Sequence, residues 1–142
     1  MRMPMIVLLA VLVGFAGSAM AQGQVESKGT TNKIKLDEVV SGYLTEINGK
    51  YKIRATELTY APGGYIDVHH HAGPGIRYVI SGTLTFKQAG KSTIYKAGDF
   101  FYESGNVVHT GHNYTSAPVR MIVFEVLPAD WTAPSGIPVR SY

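Results

Sequence analysis

From Leu36 onward, apolar and polar residues alternate with a period of two, and Gly, Pro or Asn interrupts the alternation roughly every 6 to 12 residues. Thr45-Glu46-Ile47, then Asn48-Gly49, then Lys50 to Arg54 reads as a hairpin, because Asn-Gly tolerates the positive φ of a two-residue turn. Tyr51 to Tyr60 continues as a strand, Pro62-Gly63-Gly64 turns, and Tyr65 to His71 alternates again. Ala72 to Gly75 breaks the chain. Short strands are then predicted at Ile76–Ile80, Thr83–Lys87, Ser92–Tyr95, Phe100–Tyr102, Val107–His112 and Val119–Leu127, each bounded by a Gly-containing turn or a polar, Pro-containing stretch. No window of helical length carries a 3.6-residue period. Many short strands with closely spaced turns predict an all-β sandwich or closed barrel. The tail from Pro128 to Tyr142, with three prolines and the only Trp, is expected to pack across that barrel rather than extend its sheet.

The first 21 residues follow a different pattern. Arg2 precedes an apolar run from Ile6 to Phe15, and Ala19-Met20-Ala21 places small residues where a signal peptidase reads them. The run is shorter than the roughly 20 apolar residues of a membrane-spanning helix. Residues 1–21 are therefore expected to be a cleaved signal peptide, and the mature protein to be periplasmic or secreted, with no membrane attachment after cleavage. Polar residues 22–35 read as a flexible lead-in, and 36–142 as one domain. Composition adds exclusions. The absence of cysteine removes disulfides, thiolate nucleophiles and Cys-ligated metal sites. A net charge of +3, with no Lys/Arg cluster, predicts no nucleic-acid partner.

Candidate chemistry lies in the histidines. On an extended strand His69 and His71 share one face and His70 the other, so two imidazoles are placed to share a metal. His109, on a different predicted strand, is the candidate third ligand. His70 and His112 have the opposite parity and read as surface residues.

These residues resemble the motifs of the cupin superfamily. The first motif is Gly, five residues, His-x-His, three or four residues, Glu, six residues, Gly. Here it runs from Gly63 through His69-His70-His71 to Gly82, with Gly75 where the glutamate belongs. The second is Gly, five residues, Pro-x-Gly, two residues, His, three residues, Asn. Here it runs from Gly98 through Ser104-Gly105-Asn106 to His109 and Asn113, with Ser104 for Pro and Asn106 for Gly. The resemblance covers about Gly63 to Asn113. It implies a double-stranded β-helix (jelly-roll) barrel, one divalent transition metal in its mouth on His69, His71 and His109, and a homodimer. Fe, Mn, Zn, Ni and Cu all suit imidazole ligands. Some thiol and diketone dioxygenases of the family likewise use a His-only site.

Three neutral imidazoles leave the metal's double charge uncompensated, so such a site favours a small anionic or chelating molecule. Arg77 shares the inward parity of position 75. A buried guanidinium needs an anion, which is either internal, Asp67 or Glu103, or a substrate carboxylate. Asp67 is a candidate to orient an imidazole through its far nitrogen, and Glu103 a candidate replacement ligand or general base. Tyr78, Phe101 and Tyr102 read as core, and Asn113 as structural. Two functions fit: a metal-dependent oxygenase, or a non-catalytic periplasmic cupin that holds a ligand or metal. A metal-independent isomerase would leave the histidine constellation without a purpose.

Overall fold

The computed structural model describes residues 23–139 apart from residue 43; the expected signal peptide lies outside the described residues. Among the described residues, nine strands form one curled antiparallel sheet: β1 Ser27–Val39, β2 Tyr51–His71, β3 Gly75–Ser81, β4 Thr83–Gln88, β5 Lys91–Lys96, β6 Phe100–Glu103, β7 His109–His112, β8 Val119–Pro128 and β9 Gly136–Pro138. Their order is β5-β4-β7-β2-β8-β3-β6, with β1 and β9 also on β2. The two ends of that path meet where the Tyr95 ring of β5 stacks on Phe101 of β6, centroids 4.1 Å apart. The all-β expectation therefore holds, as a nearly closed barrel.

The 21-residue strand β2 organises the barrel. Its first half, Tyr51 to Tyr60, pairs with β8; its second half pairs with β7. Pro62-Gly63-Gly64, expected to end a strand, instead bends one continuous strand as it changes partner. Gly63 adopts φ +72°, and a Cβ on Gly64 would press on the carbonyls of Gly29 and Ala61. Asn113 locks the corner from the other side. Fully buried, its amide donates to the carbonyls of Tyr60, Ala61 and Ala117 and accepts from Thr115. The structural role expected of Asn113 is thus visible.

Inward residues of β2, β4, β6 and β8 build the core: Leu58, Tyr60, Leu84, Phe86, Phe101, Val119, Met121 and Val123, closed by Val79 of β3. Burying each such large apolar side chain contributes roughly 1.5–3 kcal/mol. Tyr102 departs from expectation. It lies 65% exposed beside buried Glu103, because parity on β6 turns Phe101 and Glu103 inward and Phe100 and Tyr102 outward. Tyr78 is half-buried against Phe100.

Both chain ends differ from their sequence reading. Most of the expected lead-in is strand: β1 pairs with β2 from Ser27↔Ile66 to Val39↔Lys52. The connection between these two strands is longer than a two-residue turn, so Asn48-Gly49 sits inside a loop rather than a tight hairpin. The tail does cross the barrel, where Arg54 donates to the carbonyls of Trp131 and Ala133 at 2.9 Å while pairing with Asp37. It then extends the sheet after all, since Gly136–Pro138 pairs with His69–His71.

Candidate metal centre

His69 and His109 are direct partners in the β2–β7 ladder, and His71 lies two residues further along β2 on the same face. The three ring centroids are 4.4 to 5.1 Å apart. One nitrogen from each ring falls within 4.8 Å of the other two, making a cluster able to hold a metal ion. Outer partners fix the ring orientations. His69 Nδ1–H donates to the Asp67 carbonyl at 2.6 Å, and His109 Nδ1–H to the Val107 carbonyl at 2.9 Å. His71 Nδ1 lies 3.1 Å from Ser135 Oγ and 3.2 Å from Glu125 Oε1. With every Nδ1 engaged outward, the Nε2 atoms are left to converge, the arrangement in which histidines bind metal. The residues present therefore fit a metal.

Asp67 takes part through its backbone alone. Its side chain is exposed, because a register shift between Ile66 and His69 breaks the strict alternation that would have turned it inward. His70 and His112 are half-buried and outside the cluster, His112 stacked between Tyr65 and Tyr114.

Arg77 is inward and 2% exposed, but its partners are internal. It pairs with Glu103, with Glu125 at 3.3 Å, and donates to the Phe124 carbonyl. It therefore does not stand free for a substrate carboxylate, as one expectation had it. Glu103 pairs as well with His71 Nε2 at 3.0 Å and faces His109 Nε2 at 3.5 Å. Glu125 is the site residue that sequence reading missed. Its signal was available: Val119, Met121, Val123, Glu125 and Leu127 share the buried face of β8, so a carboxylate interrupts an inward apolar stripe.

Electrostatics follow from burial and these partners. Burial, with His109 and His71 alongside, pulls His69 down to about 4, and burial lowers His109 as well. Both are neutral at pH 7, as ligation requires. Burial also opposes charge on His71, but hydrogen bonds to Glu103 and Glu125 outweigh it and raise its pKa. Burial pushes Glu103 up, yet His71 and Arg77 hold it at about 2. Glu125 is lowered in the same way.

Two cavities meet the histidines. A void of about 40 Å³ is bounded by His69, His71, His109, Glu103 and Arg77 over an apolar floor that includes Phe86 and Phe101. A chamber of about 470 Å³ reaches His69, His71 and Glu125 from the side of β1 and the tail. Its walls carry Ile34, Leu58, Val123 and Pro134 beside Asn32, Thr56 and Arg54. That volume is of the size that accepts small organic molecules.

The Cupin domain family model matches residues 56–125. Among curated proteins, none is significantly similar in sequence. Solved structures share the fold. The polyketide cyclase RemF from Streptomyces resistomycificus superposes with a TM-score of 0.60 at 17% identity, over 80% of this chain and 75% of that one. A cupin-like protein from Thermotoga maritima gives 0.55 at 24% identity, over 74% and 75%. KdgF from Halomonas gives 0.50 at 17%, over 70% and 84%. At these identities the likeness concerns architecture. The motif spacing, the barrel with its histidine cluster, the matched family model and these shared architectures lead to one assignment: this chain belongs to the cupin superfamily.

Proposed function

We propose that this protein is an exported cupin that holds one divalent transition metal on His69, His71 and His109, and that it binds a small anionic or chelating molecule at the metal's open positions for oxygenase-type turnover. The observation that carries this reading is the three tethered imidazoles, each with Nδ1 engaged outward, beside a chamber of organic-ligand size. Charge supports the ligand class. Arg77 against Glu103 and Glu125 sums to −1, so a divalent ion leaves the centre at +1, which one anionic group neutralises. When bound, the metal supplies Lewis acidity and coordination positions for substrate and dioxygen. The chain's residues orient the imidazoles, shield them from bulk water and present the chamber.

Metal analysis by mass spectrometry, on untagged protein beside a His69→Ala/His109→Ala variant, tests the site. We expect one metal per chain in the wild type and less than a tenth of that in the variant, because two of three protein ligands are gone. Metal retained by the variant, or absent from both after reconstitution, refutes it. Oxygen uptake across a panel of small carboxylates and diketones then tests turnover. Tight ligand binding without uptake makes the protein a non-catalytic periplasmic binding cupin instead.

The partner in this reading is a second copy. The outer face of β6, β3 and β8 presents Tyr102, Ile76 and Phe124 as ladder neighbours, with Phe100 beside them, and Ile76 is 50% exposed. Contiguous apolar surface of this kind marks an interface. Sedimentation should give a dimer for the wild type and a monomer for Phe124→Glu; a wild type monomeric at high concentration removes the dimer.

A further inference from the structure

The position of the family's glutamate ligand is Gly75, and no side chain fits there. A Cβ built on Gly75 collides with the Phe124 carbonyl and the Arg77 guanidinium. Yet in the ladders on either side, the residues opposite Gly75 are both glutamates: Glu103 on β6 and Glu125 on β8. Accepting the three-histidine metal site, we infer that Glu103 is a fourth, carboxylate ligand, so that the ligand has moved from β3 onto the adjacent strand.

Several observations separate Glu103 from Glu125. Glu103 lines the small void together with all three histidines; Glu125 lines the outer chamber and not the void. Glu103 faces the ligating Nε2 atoms of His71 and His109, whereas Glu125 approaches His71 at Nδ1, the nitrogen turned away from the cluster. Glu125 Oε1 already accepts hydrogen bonds from Ser135 Oγ at 2.6 Å and from Arg77. Glu103 Oε2 is buried and held only by its ion pairs with Arg77 and with His71 Nε2, the nitrogen that would turn to a metal, and it has no other hydrogen-bond partner. A carboxylate there also cancels one of the metal's two charges, which three imidazoles cannot do. Arg77 then acts as a positioning residue that holds Glu103 against the void, and Glu125 with Ser135 orients His71 from outside.

Co(II) is the probe, with affinity read by chelator competition and geometry by the visible absorption bands of the ion. Outer partners of metal ligands typically change affinity about 10–100-fold when lost, so loss of a ligand should reach the top of that range or exceed it. We expect Glu103→Gln to bind Co(II) about 100-fold more weakly with shifted bands, and Glu125→Gln about 10-fold more weakly at most, with wild-type bands. Wild-type bands and near-wild-type affinity in Glu103→Gln overturn the inference. Should that variant not fold, infrared difference spectra of Glu125→Gln, labelled with ¹³C-glutamate, read the same point without touching Glu103. A label-sensitive carboxylate band that moves on Co(II) addition supports ligation, and one that stays overturns it. Wild-type protein that takes up no Co(II) sinks the three-histidine site itself, a different result from an indifferent Glu103→Gln.

Discussion

Replacing Gly75 with glutamate restores the family motif and is expected to damage the protein. The space a Cβ would need is occupied by the Phe124 carbonyl of β8 and by the Arg77 guanidinium, with Glu125 Cγ 3.1 Å away. The carbonyl belongs to a paired strand and cannot retreat without opening the β3–β8 ladder. The guanidinium can retreat only by abandoning Glu103 and Glu125. Overpacking alone costs about 1–3 kcal/mol, and breaking a buried ion pair about 3–5 kcal/mol. Gly75→Glu should therefore lose at least about 3 kcal/mol in urea unfolding. It should also bind metal no better than the wild type, although it carries the residue the motif calls for. A variant as stable as the wild type with tighter metal binding would show that the pocket around residue 75 is far more plastic than its geometry indicates.

Arg77→Met tests the other half of that arrangement. Methionine roughly fills the volume and removes the charge, leaving Glu103 and Glu125, both buried, without their shared cation. Removing one partner of a buried ion pair costs about 3–5 kcal/mol, because the remaining charge stays desolvated. The loss should depend on pH in a defined direction. Glu103 sits at about 2 in the folded protein, below its ordinary 4.5. Its ionised form therefore stabilises the fold fully above the unfolded value, and that contribution fades as pH falls from 4.5 toward 2. Without Arg77 the depression shrinks, so the gap between variant and wild type should be widest near pH 7 and narrower at pH 4. Urea unfolding of metal-free protein at both values measures it. A gap that is constant, or that widens on acidification, would mean Arg77 stabilises by packing alone.

These two positions explain how a cupin can dispense with the usual glutamate. A glycine at residue 75 admits the guanidinium, the guanidinium draws in carboxylates from both adjoining strands, and one of those carboxylates faces the histidines. The tail contributes at the same centre. Ser135 reaches His71 and Glu125, while Arg54 ties the preceding residues across the chamber. The C-terminal segment is thereby a wall of the ligand chamber as well as an edge of the sheet.

Strand parity and motif spacing were enough to place His69, His71 and His109 on one inner face and to turn Arg77 inward. Side chains on a strand alternate regardless of what surrounds it. The same alternation turns Glu125 inward on β8 and Tyr102 outward on β6, a signal that the apolar character of both strands obscures. Other features had no local signal. Ser27 to Lys33 is polar and carries no alternation, yet it is strand, because the free edge of β2 offers its N–H and C=O groups a ladder. The bulge that turns Asp67 outward and the register that sets His69 opposite His109 exist only once β2 and β7 pair. The barrel class, the inner faces and the three histidines are legible in the chain alone, since these follow from periodicity along single strands. Tertiary structure alone decided which carboxylates meet Arg77, and that residue 75 must be glycine. Arg77 and Glu125, for one, lie 48 positions apart in the chain and meet through ladders whose partners are chosen by the whole barrel.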